Sequence, residues 1–332
     1  MENSQILDQT LYVRKRKWYM PEWCKAWIAL IPALFFLIVF MIYPILNTIC
    51  ISFIENFAWV GKSGSSFALT NFFAAANNSR IQEMYFNFNN YINVLIDNNF
   101  QTALFNTVML VIVQVPLTII IGLLIAVALN SIKPLKAFFQ TVFFLPYVTN
   151  TIALGVVFSM MFSSNSGGLM NSFINLFGLD PVGWMSNKWS MFFVLTVYSI
   201  WNGLAFKILV FSSGLATIDK QYYDAARIDG SSKFTIFRRI TVPLLSPQIL
   251  YITVTSFIGA FKAYSQIISL VGGGATNFGG SNNKMWITVV GYIYYYQTDK
   301  IGQASAAAVI LLLIILLITG VQMLVSKKRV HY

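Results

Sequence analysis

Tyr223-Asp224-Ala225-Ala226-Arg227-Ile228-Asp229-Gly230, running on to Ile240-Thr241-Val242-Pro243, is the one long charged stretch between two apolar runs of this 332-residue chain. Around it, 57% of residues are hydrophobic, only 10% are charged, and mean hydropathy is +0.67. Soluble domains carry about 25% charged residues, so this composition is that of an integral membrane protein. The formal net charge of +11 does not indicate a nucleic-acid partner, because Lys and Arg flank the apolar runs instead of gathering on one polar domain.

A bilayer core about 30 Å thick needs about 20 mainly apolar residues per helix. Six windows meet this, at 27–53, 103–129, 138–162, 190–217, 245–271 and 303–325, which predicts an all-α, polytopic protein with six transmembrane helices. Fifteen Lys and Arg fall in the N-terminal tail, the second-to-third and fourth-to-fifth connections and the C-terminal tail, against five in the alternate segments. The positive-inside rule therefore places both termini and the 223–243 stretch in the cytoplasm. Arg14-Lys15-Arg16-Lys17 ahead of an apolar run mimics a signal peptide, but that run is too long and lacks a small-residue cleavage site, so it reads as a retained span. Cys24 and Cys50 stand roughly 39 Å apart along that helix at ~1.5 Å per residue, which excludes a disulfide between them. Residues 55–100, with ten asparagines, form an external excursion or a partly ordered loop. Prolines within or beside the spans, such as Pro116 and Pro146, suit a packed bundle lining something more than isolated anchors.

Within the charged stretch, Tyr222, Ala225, Ala226 and Ile228 give one helix a small-residue apolar face, and Gly230 suits its left-handed stop. Ser231 or Ser232 can cap a second helix with Phe234, Phe237 and Ile240 on one side and Lys233, Arg238 and Arg239 on the other, ended by Pro243. This is a compact knob on the inner face. It either docks another protein, which the small alanines favour by admitting a close backbone, or lies on lipid with its cations at anionic headgroups.

Here the chain resembles the permease subunits of binding-protein-dependent ABC importers. Their cytoplasmic signature is Glu-Ala-Ala, three residues, Gly, nine residues, Ile-x-Leu-Pro; this chain has Asp224-Ala225-Ala226, Gly230 and Ile240-Thr241-Val242-Pro243, with Asp for Glu and Val for Leu. Phe143-Phe144-Leu145-Pro146, Trp201-Asn202-Gly203, Gly214-Leu215, Leu270-Val271-Gly272-Gly273-Gly274 and Gly302-Gln303-Ala304-Ser305-Ala306 extend the likeness over residues 27–325, and the chain is similar to the maltose-type sugar permeases. The resemblance implies a type I ABC importer permease fold in a bacterial inner or plasma membrane. It also implies a second permease, an ABC ATPase subunit that binds ATP and Mg, an external solute-binding protein and a sugar substrate. Tyr223, Asp224, Ala225, Ala226, Gly230, Ile240 and Pro243 are then expected to dock the ATPase. The expected organisation is a basic tail over 1–26, a permease domain over 27–325 with a coupling segment at 218–243, and a short tail over 326–332.

The remaining chemistry is sparse. No Gly-x-x-x-x-Gly-Lys-Ser/Thr is present, the glycine-rich run 272–280 follows an apolar helix and lacks the lysine, and His331 stands alone in the tail. The chain is therefore expected to bind no cofactor or metal and to catalyse nothing itself. All eleven Asp and Glu lie outside the six windows, which counts against a proton-coupled carrier. A sodium-coupled carrier or channel remains the second reading.

Two cations do fall within windows, Lys207 and Lys262, at about 2.5–3.5 kcal/mol each if left unpaired in hydrocarbon. Lys207 either snorkels to the inner interface or faces a cavity. Lys262, beside Tyr264 and Ser265, is a candidate contact to substrate hydroxyls or an anionic sugar. Tyr198, Trp201 and Asn202 stand at i, i+3 and i+4 on one face of the fourth span, where a stripe means helix packing or a saccharide path.

Overall fold

The computed structural model describes residues 20–55, 57, 85–132, 136–165, 167–271 and 286–326. The basic tail before Met20, most of the asparagine-rich excursion, the glycine-rich run 272–280 and His331 lie outside the described residues. The chain divides into two units, Met1–Asn47 and Thr48–Tyr332.

Helices dominate, as apolar composition and membrane length require. Among the described residues four are long and apolar enough to cross a membrane: Glu22–Ser52, Asn98–Ser131, Lys188–Thr217 and Ile301–Ser326. Two bent pairs, Ala137–Val148 with Thr151–Met161 at 98° and Lys233–Leu244 with Ser246–Phe261 at 68°, bring the number to six. In chain order these are termed the first to sixth spans.

In the first unit, helix Glu22–Leu37 passes into a π-helical turn, Ile38–Ile42, two residues before Pro44. The fifth span repeats this device, with a π-turn at Phe237–Thr241 two residues before Pro243. A proline ring collides with the carbonyl four residues back and supplies no N–H to it. The wider i→i+5 turn moves that carbonyl aside, so the helix continues through the proline.

The second unit is built on the second and fourth spans, packed along each other. The second span runs unbroken through Pro116 over 34 residues. Asp97 starts it by accepting from the Asn99 backbone N–H at 2.8 Å, and its other oxygen accepts from the hydroxyls of Tyr292 at 2.9 Å and Tyr296 at 3.2 Å. One carboxylate thus caps the span and ties helix Val289–Tyr296 to it. At the end of the first span, Ile54–Glu55 pairs antiparallel with Tyr85–Phe86. Glu55 accepts from the side chains of Asn87 and Asn89, and these hydrogen bonds, Asn87 first, hold its carboxyl below the usual range.

Two expected spans differ from the observed ones. The apolar run 138–162 is not one helix but two arms, because Asn150 accepts from the N–H groups of Ile152 at 2.8 Å and Ala153 at 3.3 Å and so starts a new helix. The run 245–271 ends as a helix at Phe261, and a separate helix, Ser265–Val271, follows. The chain is held open between them because the Ala263 carbonyl accepts from Thr288 Oγ1 at 3.2 Å. Ser265–Val271 packs against the second arm of the third span at Gly155, where a β-carbon would lie 1.9 Å from Ser269 Oγ. Small residues at such crossings let helices approach in the absence of a hydrophobic drive.

Between the third and fourth spans, Asn171 is 1% exposed and organises the connection. It accepts from Val182 N–H at 3.0 Å and Trp184 Nε1–H at 2.8 Å, and donates to the carbonyls of Ser163 and Val182.

Candidate functional site

Two features outside ordinary packing stand out: a polar cavity inside the second unit and the knob ahead of the fifth span. The cavity, of about 420 Å³, lies between the second, third, fourth and fifth spans and helix Ser265–Val271. Gln114 and Asn202, at the midpoints of the second and fourth spans, both line it, so it sits about halfway along those helices.

Its wall combines an aromatic pair, Tyr147 and Phe206, stacked at 6.2 Å, with Gln114, Thr118, Ser199, Asn202, Ser256 and Gln266. Oxygens of Gln114, Ser199 and Ser256 have no hydrogen-bond partner among the described residues. Lys207 lines the same space. Of its two sequence readings, the cavity is the one realised. Sequence reasoning passed over Gln114 and Gln266, although a glutamine within an apolar run is itself the signal.

The stripe Tyr198, Trp201 and Asn202 divides. Tyr198 is fully buried, and its hydroxyl donates to the Thr151 carbonyl at 2.7 Å, at the start of the second arm of the third span. Trp201 is 37% exposed and packs on Phe158 at 5.2 Å. Asn202 alone lines the cavity, with a long contact of 3.5 Å from Nδ2 to the Pro146 carbonyl. The stripe thus meets both arms of the third span: Tyr198 the Thr151 carbonyl, Trp201 the Phe158 ring and Asn202 the Pro146 carbonyl.

The group Lys262, Tyr264 and Ser265 falls elsewhere. Lys262 is the exposed residue that closes helix Ser246–Phe261, Ser265 is exposed, and Tyr264 stacks on Tyr294 at 4.2 Å with ring planes 4° apart. None of the three lines the cavity.

The knob has its own internal logic. Asp219 accepts from Gln221 N–H at 3.0 Å and starts helix Lys220–Ile228. Gly230 ends it with φ +72°, while the N–H of Ser231 reaches the Ala226 carbonyl at 3.0 Å and that of Gly230 the Arg227 carbonyl at 3.1 Å. These two bonds make a Schellman closure, which needs the left-handed residue that glycine supplies without strain. Ser232 then caps the fifth span by accepting from Thr235 N–H at 3.2 Å.

Pro243 does not end that helix, as its position suggested. The preceding π-turn carries the helix to Leu244, and the bend falls at the fully buried Leu245. The expected apolar face of the knob is likewise divided. Ala226 is buried and the Tyr223 hydroxyl lies 3.3 Å from Thr241 Oγ1, whereas Ala225 faces outward with Tyr222, Ile228 and Phe234, the last two 87% and 71% exposed. Asp224 pairs with Arg227 at 3.2 Å on that outer side. An exposed pair of this kind contributes little to stability. Ile240 is half-buried on the inner side.

The arrangement can move force and hold a polar solute. Among the described residues no group of Asp, Glu, His and Cys has metal-site geometry.

Comparison with known proteins gives this architecture its relatives. Over 206 residues the chain is 36% identical to the arabinooligosaccharides transport system permease protein AraP of Halalkalibacterium halodurans, a match covering 62% of this chain and 63% of AraP. It is 29% identical over 272 residues to the lactose transport system permease protein LacF of Rhizobium radiobacter, covering 81% of each. Its fold matches a crystal structure of a bacterial ABC transporter involved in import of the acidic polysaccharide alginate, with TM-score 0.73 and 18% identity over 92% of this chain and 96% of the other. Residues 118–331, which contain the knob and most of the cavity wall, match the model of the binding-protein-dependent transport system inner membrane component, and the chain belongs to that family.

Proposed function

We propose that this chain is one of two permease subunits of an ATP-driven importer, passing a sugar or oligosaccharide that an external solute-binding protein delivers. The outer face of the knob is where the ABC ATPase docks, and ATP and Mg belong to that subunit. Both termini and the knob lie on the cytoplasmic side, as the distribution of Lys and Arg implies. The sugar relatives support the substrate class, and the stacked Tyr147–Phe206 pair among polar side chains is the kind of wall that holds a saccharide.

The observation that carries this reading is the helical connection between knob and cavity. The knob is closed by the Gly230 motif and braced by Tyr223 on Thr241, and it leads through Lys233–Leu244 to the buried corner at Leu245. Leu245 packs with Phe211, Leu215 and Ile252, and the following arm supplies Thr255 and Ser256 to the cavity wall. A push on the knob therefore turns a cavity wall. Such rigid-body motion about a packed corner is the means by which a hydrolysis-driven partner alternates access to a central site.

Reconstitution tests it. With the ATPase, second permease and binding protein present, proteoliposomes should take up a saccharide only when ATP is supplied on the ATPase side. Uptake by this chain in a sodium gradient without any ATPase would establish the carrier reading instead, with the knob a lipid contact.

A further inference from the structure

The charge balance of the cavity goes beyond saccharide transport. Among the described residues Lys207 is the one cation on its wall, and no carboxylate lines it. Among the described residues the side chain has no ion pair, since the pair formed by Asp224 and Arg227 lies on the knob. The space for it is shaped by neighbouring glycines. A β-carbon on Gly203, one turn earlier in the same helix, would lie 3.3 Å from Nζ, and one on Gly122 of the second span would lie 2.9 Å from Lys207 Cβ. The ammonium thus runs back over Gly203 into the cavity, away from the nearer end of its helix.

A cation held halfway along a span is costly unless something neutralises it. Polar neighbours with hydrogen-bonding capacity left over, on Gln114, Ser199 and Ser256, suit hydroxyls once their side chains rotate toward a ligand, but they bring no charge. One lysine balances one negative charge. A phosphate monoester, at about −1.5 to −2, would leave the site net negative, whereas a single carboxylate leaves it neutral.

We propose that the central cavity selects a saccharide bearing a single carboxylate, a uronic-acid unit, which Lys207 pairs while the stacked Tyr147–Phe206 rings and the uncharged polar groups hold the rest. The selection rests on the saccharide-import reading above and adds the charge of the substrate to it.

A matched pair of disaccharides tests it: one with a terminal glucuronic acid, the other with glucose in its place. Each is titrated by calorimetry into the full-length chain assembled with its partner permease in lipid nanodiscs. The acidic sugar should bind at least about 30-fold more tightly, the lower end of what truncating one partner of a hydrogen-bonded charge pair costs. Lys207→Met should abolish that preference, and Lys207→Arg should restore most of it. Lys207→Gln serves the same purpose if the Met variant fails to insert. Equal binding of both sugars, or a preference that persists in the Met and Gln variants, overturns the selection and leaves the importer reading intact. Absence of binding by either sugar, together with no saccharide-stimulated ATP hydrolysis in the assembled importer, overturns both.

Discussion

The cavity and the knob invert each other. In the cavity wall, polar side chains keep hydrogen-bonding capacity unused among the described residues, and Lys207 has no ion pair there. In the knob, the helix ends are closed by the chain's own groups, and what is left over is apolar and faces outward, at Tyr222, Ile228 and Phe234. A site that lacks partners for polar atoms calls for a polar small molecule, and one that lacks cover for apolar surface calls for a protein face. The two sites should therefore be separable by mutation, although one helix joins them.

The largest effect is expected at Gly230. Gly230→Val forces a β-branched residue to φ +72°, at about 1–3 kcal/mol of local strain, and reopens the closure of the knob. Saccharide-stimulated ATP hydrolysis should fall to the unstimulated level, while membrane insertion and calorimetric sugar binding stay unchanged. Hydrolysis that remains fully stimulated would falsify the docking role.

Ile228→Glu should come next. A charge placed in an apolar contact weakens co-purification of the ATPase by about tenfold or more, again with sugar binding intact. The reciprocal experiment is Ser199→Ala combined with Ser256→Ala. Removing hydroxyl oxygens that have no partner should not lower thermal stability, since no bond is lost, but saccharide affinity should drop several-fold. A fall in melting temperature instead would mean that these groups serve packing. The smallest effect belongs to Tyr198→Phe, which deletes the hydrogen bond to Thr151 at about 1–2 kcal/mol. It should lower thermal stability with little change in either activity, because Tyr198 serves the break in the third span and neither site.

The six spans were legible because bilayer thickness imposes a length and apolar composition that survive any detail of packing. The observed second and fourth spans, Asn98–Ser131 and Lys188–Thr217, fall within a few residues of the expected windows. The two breaks were not legible as breaks. Apolar residues continue across both, and the deciding groups, Asn150 as a helix start and Thr288 drawing on the Ala263 carbonyl, act through hydrogen bonds that hydropathy does not register. Pro116 and Pro146 look alike in sequence, yet only the second lies beside a break, because only there does a capping asparagine follow within a turn.

The same limit applied to the sites. Gly230 was readable, since a left-handed residue after a short helix has few alternatives. The direction of each side chain was not. Ala225 and Ala226 are adjacent, and one faces out while the other is buried. Lys207 and Lys262 are both lone cations in apolar runs, and only the tertiary arrangement sends the first into the cavity and leaves the second at a helix end.

The π-turn at Phe237–Thr241 makes residue count a setting of rotational phase. It holds one residue more than an α-turn would, and each residue advances an α-helix by about 100°. Deleting a single residue there would let the helix revert to regular winding and swing Tyr222, Ile228 and Phe234 about a quarter of the way round the axis, aiming them at a different neighbour. Exchange of this segment between related permeases should therefore tolerate many changes of side chain and almost none of length.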